Sequence, residues 1–251
     1  MTIHYKTHGF IFKKNNLNES DRVFSVFTSD FGKLDIFAKA IRKPVSKLRS
    51  GIDLFFLSDI EFIQGKSRKT LTDAVGVQRQ LNLQKDPQKF KIAMAISEVL
   101  DNFIKGQERD QNLFNLLNET FKILDAPNFK LQVSRLYYYF LWNFIFLQGF
   151  KPEIEKCNIC SEKLNPYNIY FSNKSGGIIC KRCISHDGFA KKINSDTVKL
   201  LRLILKKDWQ IIQKLGITQG SWKIFKDISD NYYSYILSGH SFAQGAIINT
   251  I

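Results

Sequence analysis

The alternation of apolar and polar positions changes character along the chain. Over residues 1–80, short runs rich in Ile, Phe and Val recur between turn signals. This pattern predicts strands near 5–13, 23–28, 34–40, 53–63 and 70–77, with a tight Asp30-Phe31-Gly32-Lys33 turn joining two of them. Five short strands suit a small closed barrel of the OB type; an SH3-like barrel would give the same strand count. From about residue 88 the period becomes helical. Ile92, Ile96, Val99, Leu100 and Phe103 form one stripe, Leu113, Leu117, Phe121 and Leu124 a second, and Val133, Leu136, Phe140, Phe144 and Leu147 a third. Asp110 and Asp125-Ala126-Pro127 separate these helices, and Gly149 stops the last. Apolar residues also occupy the other faces over 137–142, so the third helix is expected to be buried on more than one side.

Residues 151–190 lose the helical period and hold Pro152, Pro166, Gly176, Gly177, Gly188 and all four cysteines. Residues 195–238 return to helix, with Phe225, Ile228, Tyr232 and Ile236 on one face. The predicted fold is therefore α+β and multidomain: an OB-type barrel over 1–80, then a helical domain over 81–251 into which the cysteine segment 151–190 is inserted. The most apolar window, 136–147, is twelve residues long and contains Asn143, whereas a bilayer needs about 20 apolar residues. The N-terminal MTIHYKTHGF has no apolar core of the kind a secretory signal carries. The expected location is the cytoplasm, with no membrane partner.

Charge sharpens this picture. Of 251 residues, 37 are Lys or Arg and 23 Asp or Glu, a formal net charge of +14. Residues 1–80 carry 14 cations against 8 acids, residues 81–150 carry 8 against 7, and residues 151–251 carry 15 against 8. Two basic ends flank a nearly neutral middle, which points to an acidic partner, nucleic acid first. Lys39, Arg42, Lys43, Lys47 and Arg49 fall within eleven residues without an acid among them, and Pro44 makes that stretch a loop. Lys66, Arg68 and Lys69 form a second cluster. Basic loops on a barrel can track phosphates without reading bases. Phe10, Phe12, Phe24, Phe27, Phe37, Phe55, Phe56 and Phe62 populate the same strands; alternate strand residues must fill the barrel, so most of these rings are expected in its core. Lys181-Arg182, Lys191-Lys192 and Lys206-Lys207 are further basic pairs.

The cysteines read Cys157-x2-Cys160-x19-Cys180-x2-Cys183. A two-residue gap lets two thiolates on one turn face one ion, and two such knuckles complete a tetrahedron around Zn²⁺. Four cysteine ligands leave no open position, so the metal expected is structural, one per chain. Patterns for catalysis are missing: Gly65-Lys66-Ser67 has Ile60 where a phosphate loop needs glycine, and neither G-x-G-x-x-G nor HExxH occurs. The chain reads as a binding protein rather than an enzyme.

Several N-terminal runs carry a resemblance. Gly9-Phe10-Ile11-Phe12-Lys13-Lys14, Asn18-Glu19-Ser20-Asp21-Arg22, Phe31-Gly32-Lys33, Ala38-Lys39-Ala40-Ile41-Arg42-Lys43-Pro44 and Ser46-Lys47-Leu48-Arg49 resemble the bacterial RecO family. Ala40 stands where that family commonly has glycine. The cysteine pairs are similar to those of its zinc-containing branch. The resemblance implies a recombination mediator in DNA repair that binds single- and double-stranded DNA and anneals complementary strands. It also implies action on DNA coated by single-strand-binding protein (SSB), and loading of the RecA recombinase with the partner RecR. The acidic, hydrophobic tail of SSB would want a cation beside apolar walls, and Arg135 with Leu136, Tyr139 and Phe140 is the expected receiving group. A competing reading is an RNA-binding zinc-ribbon protein; another is a metal-dependent hydrolase. Annealing of complementary DNA, set against preference for structured RNA and against turnover, separates the three.

Overall fold

The computed structural model describes residues 3–127, 129 and 133–240. Packing divides the chain into two compact units, Met1–Val133 and Ser134–Ile251.

The first unit is built on five strands, β1 (His4–Asn16), β2 (Arg22–Thr28), β3 (Gly32–Ala38), β4 (Leu57–Gln64) and β5 (Lys69–Gln78). They close into a barrel in the order β1-β2-β3-β5-β4. All pairings are antiparallel except β3 with β5, which run parallel at Ile36↔Lys69 and Phe37↔Thr70. That crossed order is the Greek-key closure of an OB-type barrel. Alternation along each strand sends Ile11, Phe24, Val26, Leu34, Ile36, Ile60, Phe62 and Leu71 inward to one buried cluster. Gly32 opens β3 at φ +63, and a side chain there would run into the Glu108 backbone carbonyl. Glycine is required there on both counts.

The strand boundaries on either side of the basic loop differ from the sequence expectation, and β1 runs on to Asn16. β3 ends at Ala38, and β4 starts only at Leu57. Ala40 (φ +53) and Phe55 (φ +65) adopt left-handed backbone, which ends extended structure on either side of the loop. For an L-residue that conformation costs roughly 1–2 kcal/mol, and glycine avoids it at some cost in unfolded-state entropy. Ala40→Gly is therefore expected to stabilise the protein by about 0.5–1 kcal/mol, seen as a higher urea midpoint at unchanged slope. A lower midpoint would show that the Ala40 methyl group contributes more than the strain removes.

Three helices complete this unit: the single-turn α1 (Leu81–Lys85), α2 (Pro87–Phe103) and α3 (Gln111–Asp125). Asp86 caps α2 by accepting from Gln88 N and Lys89 N, and Asp110 caps α3 by accepting from Leu113 N. Phe10 and Phe55 of the barrel stack against Phe121 of α3 with ring centroids 4.2 and 5.7 Å apart. Asp101 of α2 takes Lys13 of β1 at 2.5 Å and Lys33 of β3 at 2.7 Å. Burial opposes its charge, but the two lysines outweigh burial and hold its carboxyl below the ordinary carboxylate range. The stability this gives is present above that range and lost as pH falls through the lowered value.

The second unit centres on α4 (Val133–Leu147). Every residue from Leu136 to Ile145 is buried, as expected for a helix apolar on all sides. Several of its polar groups are paired internally: Trp142 Nε1 donates to Ser229 Oγ at 2.8 Å, Tyr138 Oη to Asp230 Oδ1 at 3.0 Å and Asn143 Nδ2 to Tyr139 O at 2.8 Å, whereas the buried Asn143 Oδ1 has no partner. A small sheet in the order β7-β6-β8 follows, from β6 (Ile169–Ser172), β7 (Gly177–Cys180) and β8 (Lys191–Ile193). The expected helix over 195–238 is broken twice, into α5 (Ser195–Leu205), α6 (Trp209–Lys214) and α7 (Gln219–His240). Lys207 at φ +58 makes the first break, and the Leu215-Gly216-Ile217-Thr218 linker the second. The apolar face of α7 is as read: Phe225, Ile228, Tyr232 and Ile236 are all buried. No described helix is long and apolar enough to cross a membrane.

Candidate nucleic-acid interface and metal centre

Asp21, at the end of the β1–β2 turn, organises the basic loop that follows β3. Its Oδ1 accepts from Ala40 N at 2.7 Å, while Asn18 Oδ1 accepts from Ser20 N and Asp21 N. The Ala40 amide, then Asn18, hold the Asp21 carboxyl below its usual range. Arg42 is tied to the same turn, its N donating to Ser20 O at 3.0 Å and its Nη1 to Asn18 O at 2.6 Å. Residues 40–51 then run as successive tight turns, Lys43 N to Ala40 O, Ser46 N to Lys43 O and Gly51 N to Leu48 O, ending in a 3-10 turn at Lys47–Ser50. Ile41 is buried and Leu48 packs on the barrel core. These anchors leave Lys39, Arg42, Lys43, Lys47 and Arg49 exposed. The stretch is thus a loop, as expected, but one pinned at Ile41 and Leu48.

The parallel β3–β5 seam brings the second cluster to the same end of the barrel. Lys69 pairs with Ile36 near the end of β3, so the β4–β5 turn lies beside the start of the basic loop. Arg68 lays its guanidinium 3.8 Å above the Phe37 ring, a cation–π contact that fixes the charge without neutralising it. Lys66 and Arg68 are exposed and Lys69 half-buried. Among the described residues, none of these eight cations has a carboxylate partner in an ion pair. Two loops, 39–50 and 64–69, therefore present positive charge without an ion-pair partner at one barrel end, while the adjoining 17–21 turn carries no cation and contributes Glu19 and Asp21. All eight strand phenylalanines are buried, the most accessible at 8 %, so this end offers phosphate contacts and no strand phenylalanine for bases.

The four cysteines converge. Their sulfurs all lie within 4.8 Å of one another, and Cys160 Sγ is 3.8 Å from Cys180 Sγ. A tetrahedron with ligands about 2.3 Å from Zn²⁺ has edges of about 3.8 Å. All four thiols are free. Cys157 N donates to Glu162 O at 2.9 Å, and Ser161 N donates to Cys157 O at 2.8 Å, closing the first knuckle with Ser161 at φ +59. The second knuckle leaves β7 and enters a 3-10 turn, Lys181–His186. Cys180 N points at Cys157 Sγ at 3.4 Å. Burial pushes the Cys157 thiol up, but amides of Cys160, Cys180 and Ile159 together outweigh it and draw it down to about 6. Burial and the neighbouring thiols push Cys183 up to about 12. A cluster whose geometry matches a four-sulfur tetrahedron, with amides already directed at one sulfur, can hold a metal ion.

The expected receiving group around Arg135 comes out differently. Leu136, Tyr139 and Phe140 are fully buried and offer no wall to a ligand, because α4 packs on every side. Arg135 is half-buried; its Nη1 donates to Leu215 O at 2.9 Å and Ile212 O at 3.3 Å, and its guanidinium faces the Trp222 ring. It caps the carbonyl end of α6, and burial lowers its pKa. An open pocket of about 360 Å³ beside it is lined by Asp208, Gln210, Ile211, Lys214 and Leu215. Of the further basic pairs, Arg182 is ion-paired with Glu162, Lys191-Lys192 lies on the edge strand β8, and Lys206-Lys207 marks the α5–α6 break.

Comparison with known proteins bears on both sites. Residues 1–79 match the family described as Recombination protein O N terminal, and residues 84–242 that described as Recombination protein O C terminal. Among similar proteins, each named DNA repair protein RecO, one from Dehalococcoides mccartyi is 33% identical, covering 86% of this chain and 83% of its own length. One from Alkaliphilus metalliredigens is 30% identical over 84% of this chain and 85% of its own. One from Halalkalibacterium halodurans is 26% identical over 91% and 88%.

Proposed function

Since the chain belongs to the RecO family of DNA repair and recombination proteins, we propose that it binds single- and double-stranded DNA at the basic end of its barrel and anneals complementary strands. The observation that carries this is the set of largely exposed cations on two adjoining loops, none of them in an ion pair with a carboxylate among the described residues. Annealing needs no covalent chemistry. Two strands repel through their phosphates, and a surface that neutralises both lets complementary bases meet. In this reading Lys39, Arg42, Lys43, Lys47, Arg49, Lys66, Arg68 and Lys69 take the phosphates, and the barrel over 1–80 is the DNA-binding unit. Cys157, Cys160, Cys180 and Cys183 hold one structural Zn²⁺.

Family membership supports the finer roles of acting on SSB-coated DNA and loading RecA with RecR, in the cytoplasm at the nucleoid. For the SSB tail, the pocket lined by Asp208, Gln210, Ile211, Lys214 and Leu215, whose Leu215 carbonyl accepts from Arg135, replaces the buried trio as the receiving surface. It sets the cation Lys214 beside the apolar Ile211 and Leu215, as a carboxylate-ended apolar tail requires. The test is annealing of dye-labelled complementary strands pre-coated with SSB. Added protein should shorten the annealing half-time at sub-stoichiometric amounts; a half-time equal to that of SSB-coated strands alone would overturn the reading.

A further inference from the structure

We propose that the cysteine-ribbon segment carries a base-stacking contact for single-stranded nucleic acid, centred on Phe189. This rests on the DNA-binding reading above and adds to it a ligand contact in the second unit.

Phe189 is 94 % exposed, yet it sits on a turn built to fix it. Asp187, itself 6 % exposed, accepts from Phe189 N through Oδ1 at 3.0 Å and from Ser172 Oγ through Oδ2 at 2.6 Å. Its carbonyl accepts from Ala190 N at 3.1 Å. Ser172 Oγ in turn accepts from Ser175 N at 2.9 Å, so one buried carboxylate and one hydroxyl tie the Phe189 turn to the β6–β7 hairpin. These hydrogen bonds hold the ring out in water in a defined place, as a stacking platform requires.

The surrounding charge says what kind of ligand. Over 171–193 the only acid is Asp187, which is buried and engaged, while Lys174, Lys181, Lys191 and Lys192 are exposed; Arg182 is already paired with Glu162. Lys174 lies in the hairpin joined to the Phe189 turn, and Lys191 stands opposite Phe171, two residues on from Phe189. Lysines on an edge strand also deter edge-to-edge pairing, but that explains neither the exposed ring nor the missing surface carboxylates. An exposed ring with cations on both sides matches a strand whose phosphates meet the lysines while one base lies on the ring. An acidic peptide could satisfy the lysines but has no flat face for Phe189. The barrel buries its strand phenylalanines, so a base contact supplied here is a different contribution from the phosphate contacts there.

The experiment uses the full zinc-loaded chain and labelled oligothymidylate, with an abasic oligomer of equal phosphate count as the second probe. Stacking of one base is expected to make Phe189→Ala weaken oligothymidylate binding about tenfold or more. Affinity for the abasic oligomer should stay unchanged, as should zinc content. Tyr167→Ala, which removes another exposed ring at 83 % from the opposite end of β6, should change neither. Equal losses in the two variants, or equal losses on both oligomers, would overturn the base contact. So would loss of binding to an SSB-tail peptide with DNA binding intact, which would make Phe189 a peptide contact. If Phe189→Ala binds as the unaltered protein does while removal of the barrel cations abolishes binding, this inference falls and the barrel reading stands.

Discussion

Cys157→Ser will leave the protein with far less than one zinc per chain and will unfold the ribbon around it. The mutated sulfur is fully buried and is the one the Cys180 amide addresses, so the hydroxyl is both a poorer ligand and a poorer fit. On the metal side little else holds this segment, although on its other face Phe171 packs against Trp142 and Tyr232. Its apolar cluster consists of Cys157, Ile179 and Cys183 with a few half-buried neighbours, and two of those three are themselves metal ligands in the proposed site. Because no such site exists in the unfolded chain, metal affinity is folding energy, on the order of 10 kcal/mol or more for structural zinc. Metal analysis gives the stoichiometry, and amide exchange across β6, β7 and β8 gives the folding. Protection in these strands should fall to that of unfolded chain, while the barrel amides provide an internal reference. Full zinc content in the variant, or full protection without zinc, would show that the tetrad is not the metal site.

The second large effect is electrostatic. Replacing Arg42, Lys43, Lys47 and Arg49 together with Ala should flatten the plot of log affinity against log salt. Each phosphate contact contributes about 0.7 to that slope on single strands, so four should remove about 2.8. Near 0.1 M salt this corresponds to a loss of affinity of about 10²-fold or more. Arg42 also holds Asn18 O, so its loss alone could loosen the loop. The backbone bonds from Arg42 N to Ser20 O and from Lys43 N to Ala40 O survive the change, as does the Ile41 anchor. A quadruple variant with the original slope would show that the loop is merely solvated and that the phosphates lie elsewhere.

What could be read from the residues, and what could not, follows from how local each signal is. The barrel strands announced themselves because a two-residue period is local, and the cysteine tetrad because two short gaps are local. The β3–β5 seam has no such signature: nothing in Ile36, Phe37, Lys69 or Thr70 names its partner, yet that seam sets the two basic clusters side by side. Left-handed backbone at Ala40 and Phe55 was hidden because neither residue signals a turn. Leu136, Tyr139 and Phe140 were misread because an apolar stripe looks the same whether it lines a groove or fills a core. The α6–α7 break did leave a mark in Gly216, but the apolar residues around it masked it. Phe189 left only a weak one, a lone aromatic between Gly188 and Ala190 outside any periodic run.

The double pairing of β1 has a consequence for the chain while it is being made. Gly9 pairs with Thr28 on one side and with Ser58 on the other. The first partner is synthesised soon afterwards, but β4 emerges much later, and at about 5–20 residues per second the outer border of β1 waits on the order of seconds. An unpaired border of that kind invites other nascent chains. His4, Lys6 and His8 occupy alternate positions along it, where their charge and polarity discourage a wrong neighbour. When β4 arrives it brings Glu61 directly opposite Lys6, where they form an ion pair, and Asp59 directly opposite His8, whose Nδ1 meets its carboxylate. The groups that guard the border during synthesis thus also select the right alignment at closure, since a slip along the strand would forfeit both pairs.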